Sequence, residues 1–115
     1  SRGLVGSEMC IRDSTQTWKK RLSDDSSAIC LDVRTLNEHT ESHIPNSLNI
    51  DIYDPPSFMK KINDLDRSKS YFIYCKSGKR SQMACEIMHQ YGFNKLFNLD
   101  GGIEDWINKG NETIK

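Results

Sequence analysis

Four consecutive apolar residues, Tyr71-Phe72-Ile73-Tyr74, run straight into a cysteine and a small basic loop, Cys75-Lys76-Ser77-Gly78-Lys79-Arg80-Ser81. The run is aromatic and β-branched, lacks polar alternation, and so suits a short strand buried on both faces. Directly after the loop, Ala84, Ile87, Met88 and Tyr91 recur at the spacing of one helix face. A buried strand feeding a helix through a tight loop restricts the chain to few architectures. Cys75 falls at the junction, where a strand ends and a helix begins.

The same alternation continues on either side. Thr15 is placed to cap a short helix through Leu22, with Trp18 and Leu22 on one face. Ala28 to Val33 reads as a strand interrupted only by Asp32. Thr35 and Glu38 fit a capping box that opens a brief helix. Pro45-Asn46 marks a turn, and Leu48 to Ile52 alternates like a half-covered strand. After Pro55-Pro56 a helix is expected from Ser57, with Phe58, Ile62 and Leu65 as its inward stripe. Gly92 is a suitable helix terminator, and Leu96 to Leu99 forms a last short strand. Gly101-Gly102 turns the chain into a closing helix carrying Ile103, Trp106 and Ile107 and ending near Gly110. Strands and helices in this order predict an α/β fold, a parallel sheet covered by helices on both faces. Sites in such sheets form beyond the carboxyl ends of strands. Cys75, the segment Asp32 to Arg34 and the segment Asp100 to Gly102 all lie at such ends.

At 115 residues the chain suits one domain. Sixteen basic and sixteen acidic residues leave a formal net charge of zero, so no global field draws the chain to nucleic acid or to a membrane surface. No apolar stretch approaches the roughly 20 residues of a membrane span. The four cysteines, Cys10, Cys30, Cys75 and Cys85, show neither paired Cys-x-x-Cys spacing nor a disulfide-scaffold pattern. No metal site is expected, and reduced thiols in the cytoplasm are, with an exported location as the alternative.

Residues 1–14 stand apart. Gly6 to Ser14 has no helical or strand periodicity, and read back through the genetic code it resembles a translated transposon-end sequencing adapter. Ser1 to Leu4 resembles part of the same adapter. The segment is therefore expected to be non-native and is left out of the fold, leaving the domain as 15–115.

Chemistry is expected at Cys75. The backbone N–H groups of the loop and the N-terminus of the following helix favour an anion there, and Lys76, Lys79 and Arg80 place up to three cations nearby. Together these favour thiolate, the reactive form. A cysteine activated in this way needs no dedicated general base.

The motifs together resemble the rhodanese family of sulfurtransferases in its small single-domain form. Asp32-Val33-Arg34 with Glu38 and then His43-Ile44-Pro45-Asn46-Ser47 resembles the family's first signature. Cys75 to Ser81 resembles its active-site loop, and Leu99-Asp100-Gly101-Gly102-Ile103 to Trp106 its last signature. His39 and Ser42 depart from the pattern, where an aromatic and a glycine are usual. The resemblance implies a three-layer fold with a parallel sheet of about five strands. The family's first edge strand would fall on the adapter-like stretch and is expected to be missing. It also implies a ping-pong transfer. Cys75 takes the outer sulfur of a sulfane donor such as thiosulfate, holds it as a persulfide, and passes it to cyanide, a thiol or a protein thiol. No cofactor is needed beyond that covalent intermediate.

Within this frame Lys76 and Lys79 would attract an anionic donor, while Ser77, Gly78 and Ser81 complete the anion-binding loop. Arg80 would hold the loop's shape through its planar fork. Arg34 and Glu38 are read as a structural ion pair, and Asp32 as a carboxylate bonding backbone groups at its strand end. His43 is read as structural, since the chemistry requires no proton relay. Gly101 and Gly102 support the turn; His39 and His89 carry no signal. Cys30 and Cys85 read as core.

Two rivals stand against sulfur transfer. A cysteine phosphatase or arsenate reductase shares the general fold, but its loop holds five residues between cysteine and arginine, against four between Cys75 and Arg80. A persulfide-carrier or regulatory module, with little turnover of free thiosulfate, is the other alternative.

Overall fold

The structure, a computed structural model, describes residues 10–115. Five strands and five helices follow in the order β1 (Cys10–Asp13), α1 (Thr15–Asp24), β2 (Ile29–Asp32), α2 (Leu36–Glu41), β3 (Leu48–Asn49), α3 (Pro55–Asn63), β4 (Tyr71–Tyr74), α4 (Lys79–Gln90), β5 (Leu96–Leu99) and α5 (Gly102–Asn108). The strands form one sheet in the order β1-β5-β4-β2-β3, with every pairing parallel. This is the helix-covered parallel sheet that the alternation of strand and helix signals implies.

Strand β4 is central, and all four of its side chains are buried. Tyr71 and Ile73 join a core with Phe58 and Ile62 of α3 and Ala84, Cys85 and Met88 of α4. Phe72 and Tyr74 join a second core with Trp18 of α1 and Ile103 and Trp106 of α5. The apolar run thus serves two helical layers at once, which is why it carries no alternation. Trp18 meets Phe72, Tyr74 and Trp106 edge-on at centroid separations of 5.8–6.2 Å, and its indole N–H donates to Phe97 O at 3.1 Å.

Several boundaries differ from expectation. The edge strand expected to be missing is present: Cys10 to Asp13 pair in register with Leu96 to Leu99. Main-chain pairing to the open edge of β5 makes it a strand, whereas its side chains (only Cys10 and Asp13 are buried) carry no period-2 signal. Within the adapter-like stretch, Cys10 to Ser14 therefore belong to the fold, while residues 1–9 lie outside the described residues. Ser14, not Thr15, caps α1; it is extended, and its Oγ accepts from Thr17 N at 3.3 Å. The Thr15 hydroxyl instead bonds Asp105 of α5.

Strand β3 is only two residues long, although Ile50 N and Ile52 N still donate to Asp32 O and Val33 O. Helix α3 includes both prolines, which occupy the first turn, where no backbone N–H is needed. Tyr91 lies past the end of α4 and is 50% exposed, and Ile107 of α5 is 48% exposed. The helical spacing that puts Tyr91 on one face with Ala84 and Met88 thus ends one residue before it, and Ile107 faces solvent while Ile103 and Trp106 are buried.

Candidate functional site

Beyond β4 the loop Cys75–Gly78 is clamped by the start of α5. Ile103 N donates to Cys75 O at 2.9 Å and Glu104 N to Lys76 O at 3.2 Å. With two carbonyls drawn to α5, the chain turns so that Gly78 N–H reaches Cys75 Sγ at 3.1 Å. Gly78 makes the turn at φ +102°, and a Cβ there would overlap the Asp100 carbonyl. Gly102, at φ +67°, faces the Lys76 carbonyl as tightly. The two glycine-bearing segments fit together only because neither has a side chain at the contact. Gly101 caps α5 in an ordinary helical conformation, with Asp105 beside the position a Cβ would take.

Cys75 is 1% exposed, and its sulfur lies 3.4 Å from the Ser81 hydroxyl as well as 3.1 Å from Gly78 N–H. The Gly78 N–H and the dipoles of the loop suit an anionic sulfur. Among the loop N–H groups, that of Gly78 makes the contact. Ser77 and Lys79 are exposed on the rim, as is Lys76, whose Nζ lies 4.0 Å from Glu104.

Arg80 is not a free cation beside the sulfur. Its guanidinium makes two bonds to Glu38, Nη1 to Oε1 at 2.8 Å and Nη2 to Oε2 at 3.0 Å, with the Tyr53 ring 5.2 Å away. Those bonds hold the Glu38 carboxyl down at about 2 and push Arg80 up. Glu38 is itself positioned by the capping box, its Oε1 accepting from Thr35 N at 3.1 Å. Arg80 thus ties α4 to α2.

The expected Arg34–Glu38 ion pair is not formed. Arg34 pairs instead with Asp32, Nε to Oδ1 at 2.9 Å and Nη2 to Oδ2 at 2.7 Å, and also donates to Ser42 O. Asp32 is fully buried and accepts further from Arg34 N, Tyr74 OH and His39 Nδ1. Burial next to Asp32 pushes the Tyr74 phenol up. Two residues so close in sequence satisfy each other's charge at the strand end, leaving Glu38 for Arg80. His43 donates from Nδ1 to His39 O at 2.8 Å, and the two rings stack at 3.8 Å. This network braces the end of β2 and the 42–47 turn.

Sequence reasoning missed four contributors: Asn98, Tyr53, His39 and Tyr74. Asn98 alone left a signal, as a polar residue inside the apolar strand Leu96 to Leu99. It is fully buried, with Oδ1 on the Ser81 hydroxyl and Nδ2 on Gly78 O. Burial pushes the Cys30 thiol up, and burial together with the Cys10 thiol does the same to Cys85. Among the described residues, no three His, Cys, Asp or Glu side chains gather as metal ligands would. No described helix is long and apolar enough to cross a membrane.

A family model described as Rhodanese-like domain matches residues 15–109. A protein of Allochromatium vinosum named Sulfurtransferase is 30% identical over 96 residues, 84% of this chain and 87% of its own length. A Bacillus subtilis protein, YrkF, named for a sulfur-carrier role, is 34% identical over 96 residues, again 84% of this chain. The present chain spans only 50% of that protein's length. The crystal structure of a rhodanese-related protein from Thermoplasma volcanium superposes with a TM-score of 0.75 at 30% identity, covering 90% of this chain and 97% of that one.

Proposed function

The chain belongs to the Rhodanese-like domain family, and from that premise we propose that it moves a sulfane sulfur through a persulfide on Cys75. The observation that carries this reading is the sulfur itself, at the end of β4, 3.1 Å from Gly78 N–H and 3.4 Å from the Ser81 hydroxyl. The Cys75 thiolate attacks the outer sulfur of thiosulfate. A new S–S bond forms, the old one breaks, and sulfite leaves with the electron pair. The persulfide anion then occupies the loop, with Gly78 N–H as a donor. A thiol or cyanide attacks the outer sulfur, and the Cys75 thiolate departs from it unchanged. Lys76 and Lys79 on the rim draw the anionic donor in; Arg80, bonded twice to Glu38, keeps the loop in shape rather than binding substrate. A reducing compartment such as the cytoplasm suits four free thiols.

The test is direct. After incubation with thiosulfate, intact mass should show one added sulfur, lost on treatment with cyanide and absent in Cys75→Ser. If no donor places a sulfur on Cys75, the reading fails. A carrier role is the second reading, favoured by the likeness to a protein named as a sulfur carrier. Under that reading the persulfide forms but only a protein thiol, and not cyanide, removes it at an appreciable rate.

A further inference from the structure

We propose that Asn98 is a positioning residue for the Cys75 sulfur, acting by holding the proton of the Ser81 hydroxyl. The inference rests on Cys75 being the nucleophile, as proposed above. Ser81 and Asn98 are both fully buried. The Ser81 Oγ lies 2.5 Å from Asn98 Oδ1 and 3.4 Å from Cys75 Sγ. A hydroxyl carries one proton, so it donates to one of these two atoms at a time.

Which one depends on how the Asn98 amide faces. Asn98 Nδ2 lies 3.2 Å from Gly78 O and 3.2 Å from Gln82 Oε1. Gln82 is oriented in turn, because its Nε2 donates to Glu86 Oε2 at 3.1 Å. Turning the Asn98 amide over would set its oxygen against two acceptor oxygens in a buried site. Oδ1 therefore faces Ser81, has no proton of its own, and needs one from the hydroxyl at that separation. In the resting site the Ser81 proton goes to Asn98, and a Ser81 lone pair faces the sulfur.

That arrangement accepts a hydrogen bond from the Cys75 thiol. A Cys75 thiolate or persulfide anion is held by Gly78 N–H and gains Ser81 as a second donor only when the hydroxyl turns away from Asn98. Asn98 and the sulfur compete for one proton, and the outcome sets how readily the anion forms.

The test is alkylation of Cys75 by iodoacetamide as a function of pH, read by peptide mass, in a double-mutant cycle of Asn98→Leu and Ser81→Ala. With Ser81 present, Asn98→Leu releases the hydroxyl to the sulfur and moves the alkylation midpoint to lower pH. In the Ser81→Ala background the same change leaves the midpoint in place. An equal shift in both backgrounds means that Asn98 acts through loop shape alone and overturns the proposal. So does a midpoint that stays or rises when Ser81 is present. If Asn98→Leu does not fold, the unsubstituted protein supplies a second readout. Its infrared difference spectrum against Cys75→Ser, taken at a pH below the alkylation midpoint where the thiol is protonated, isolates the Cys75 S–H stretch, expected at the lowered frequency of a hydrogen-bonded donor and shifted upward in Ser81→Ala. A free S–H band overturns the proposal. Neither measurement uses a sulfur donor, so its failure is separate from a failure to form the persulfide.

Discussion

The Glu38 carboxyl, held at about 2 rather than 4.5 by its bonds to Arg80, makes stability depend on pH over a defined window. The folded value lies below the unfolded one, so the unfolded chain takes up the proton first. The contribution is complete above 4.5 and is lost as pH falls toward 2. Because Glu38 is partly solvated the effect is modest. Glu38→Gln should remove this segment of the denaturation-midpoint-against-pH curve, and parallel curves for both proteins would rule the pair out as its source. The glycines give a second residue-scale expectation. Gly110 sits at φ +81° with open space around it, so Gly110→Ala should cost only the left-handed strain, about 1 kcal/mol. Gly102→Ala adds an overlap with the Lys76 carbonyl and should cost more than about 3 kcal/mol in urea titrations. At this scale the sequence reveals Gly78 and Gly102, because each is the residue type its position demands. Partner choice is less legible. Arg34 and Glu38 are complementary in charge, yet each bonds a different residue, Asp32 and Arg80, because the chain brings those nearer.

Helix α2 has six residues and no buried side chain, so its capping box carries much of its local stability. Thr35→Ala should cost about 1 kcal/mol. Since the Thr35 backbone and hydroxyl both hold Glu38, it should also loosen the Arg80 contact and slow persulfide formation without abolishing it. A rate equal to that of the unsubstituted protein would show that α2 does not tune the loop. Strand β1 is the other informative element. Removing residues 1–13 strips the ladder from β5 and exposes that edge. The truncated chain should lose thermal stability and aggregate on warming, by light scattering. Unchanged melting would mean that α1, anchored by Trp18 on Phe97 O, suffices to cover that side. Period and caps made the longer elements legible, whereas β1, expected to be missing, carries no pattern of its own, because an edge strand is specified by its neighbour's unpaired backbone rather than by its own side chains. The codon series over Gly6 to Ser14 tests the adapter resemblance independently of that pairing.

Across the whole molecule, two cores on opposite faces of one sheet share the β4 strand that ends at Cys75. Trp18 lies far along the chain from the loop yet packs on Phe72 and Tyr74 of that strand. Trp18→Ala should cost about 4 kcal/mol, a large share of the roughly 5–15 kcal/mol that holds a typical domain. Any folded fraction should still accept sulfur on Cys75, which would separate loss of fold from loss of chemistry. Sequence alone determined the layered parallel sheet, the cysteine at a strand end and the four-residue span to Arg80, because periodicity, residue type and spacing are local properties. The tertiary structure decided the rest: the edge strand on β5, the pairing of Arg80 with Glu38, and the placement of Asn98 behind Ser81. Each depends on which surfaces the packed sheet and helices bring within hydrogen-bonding distance, and that distance is set by the whole fold rather than by any one segment.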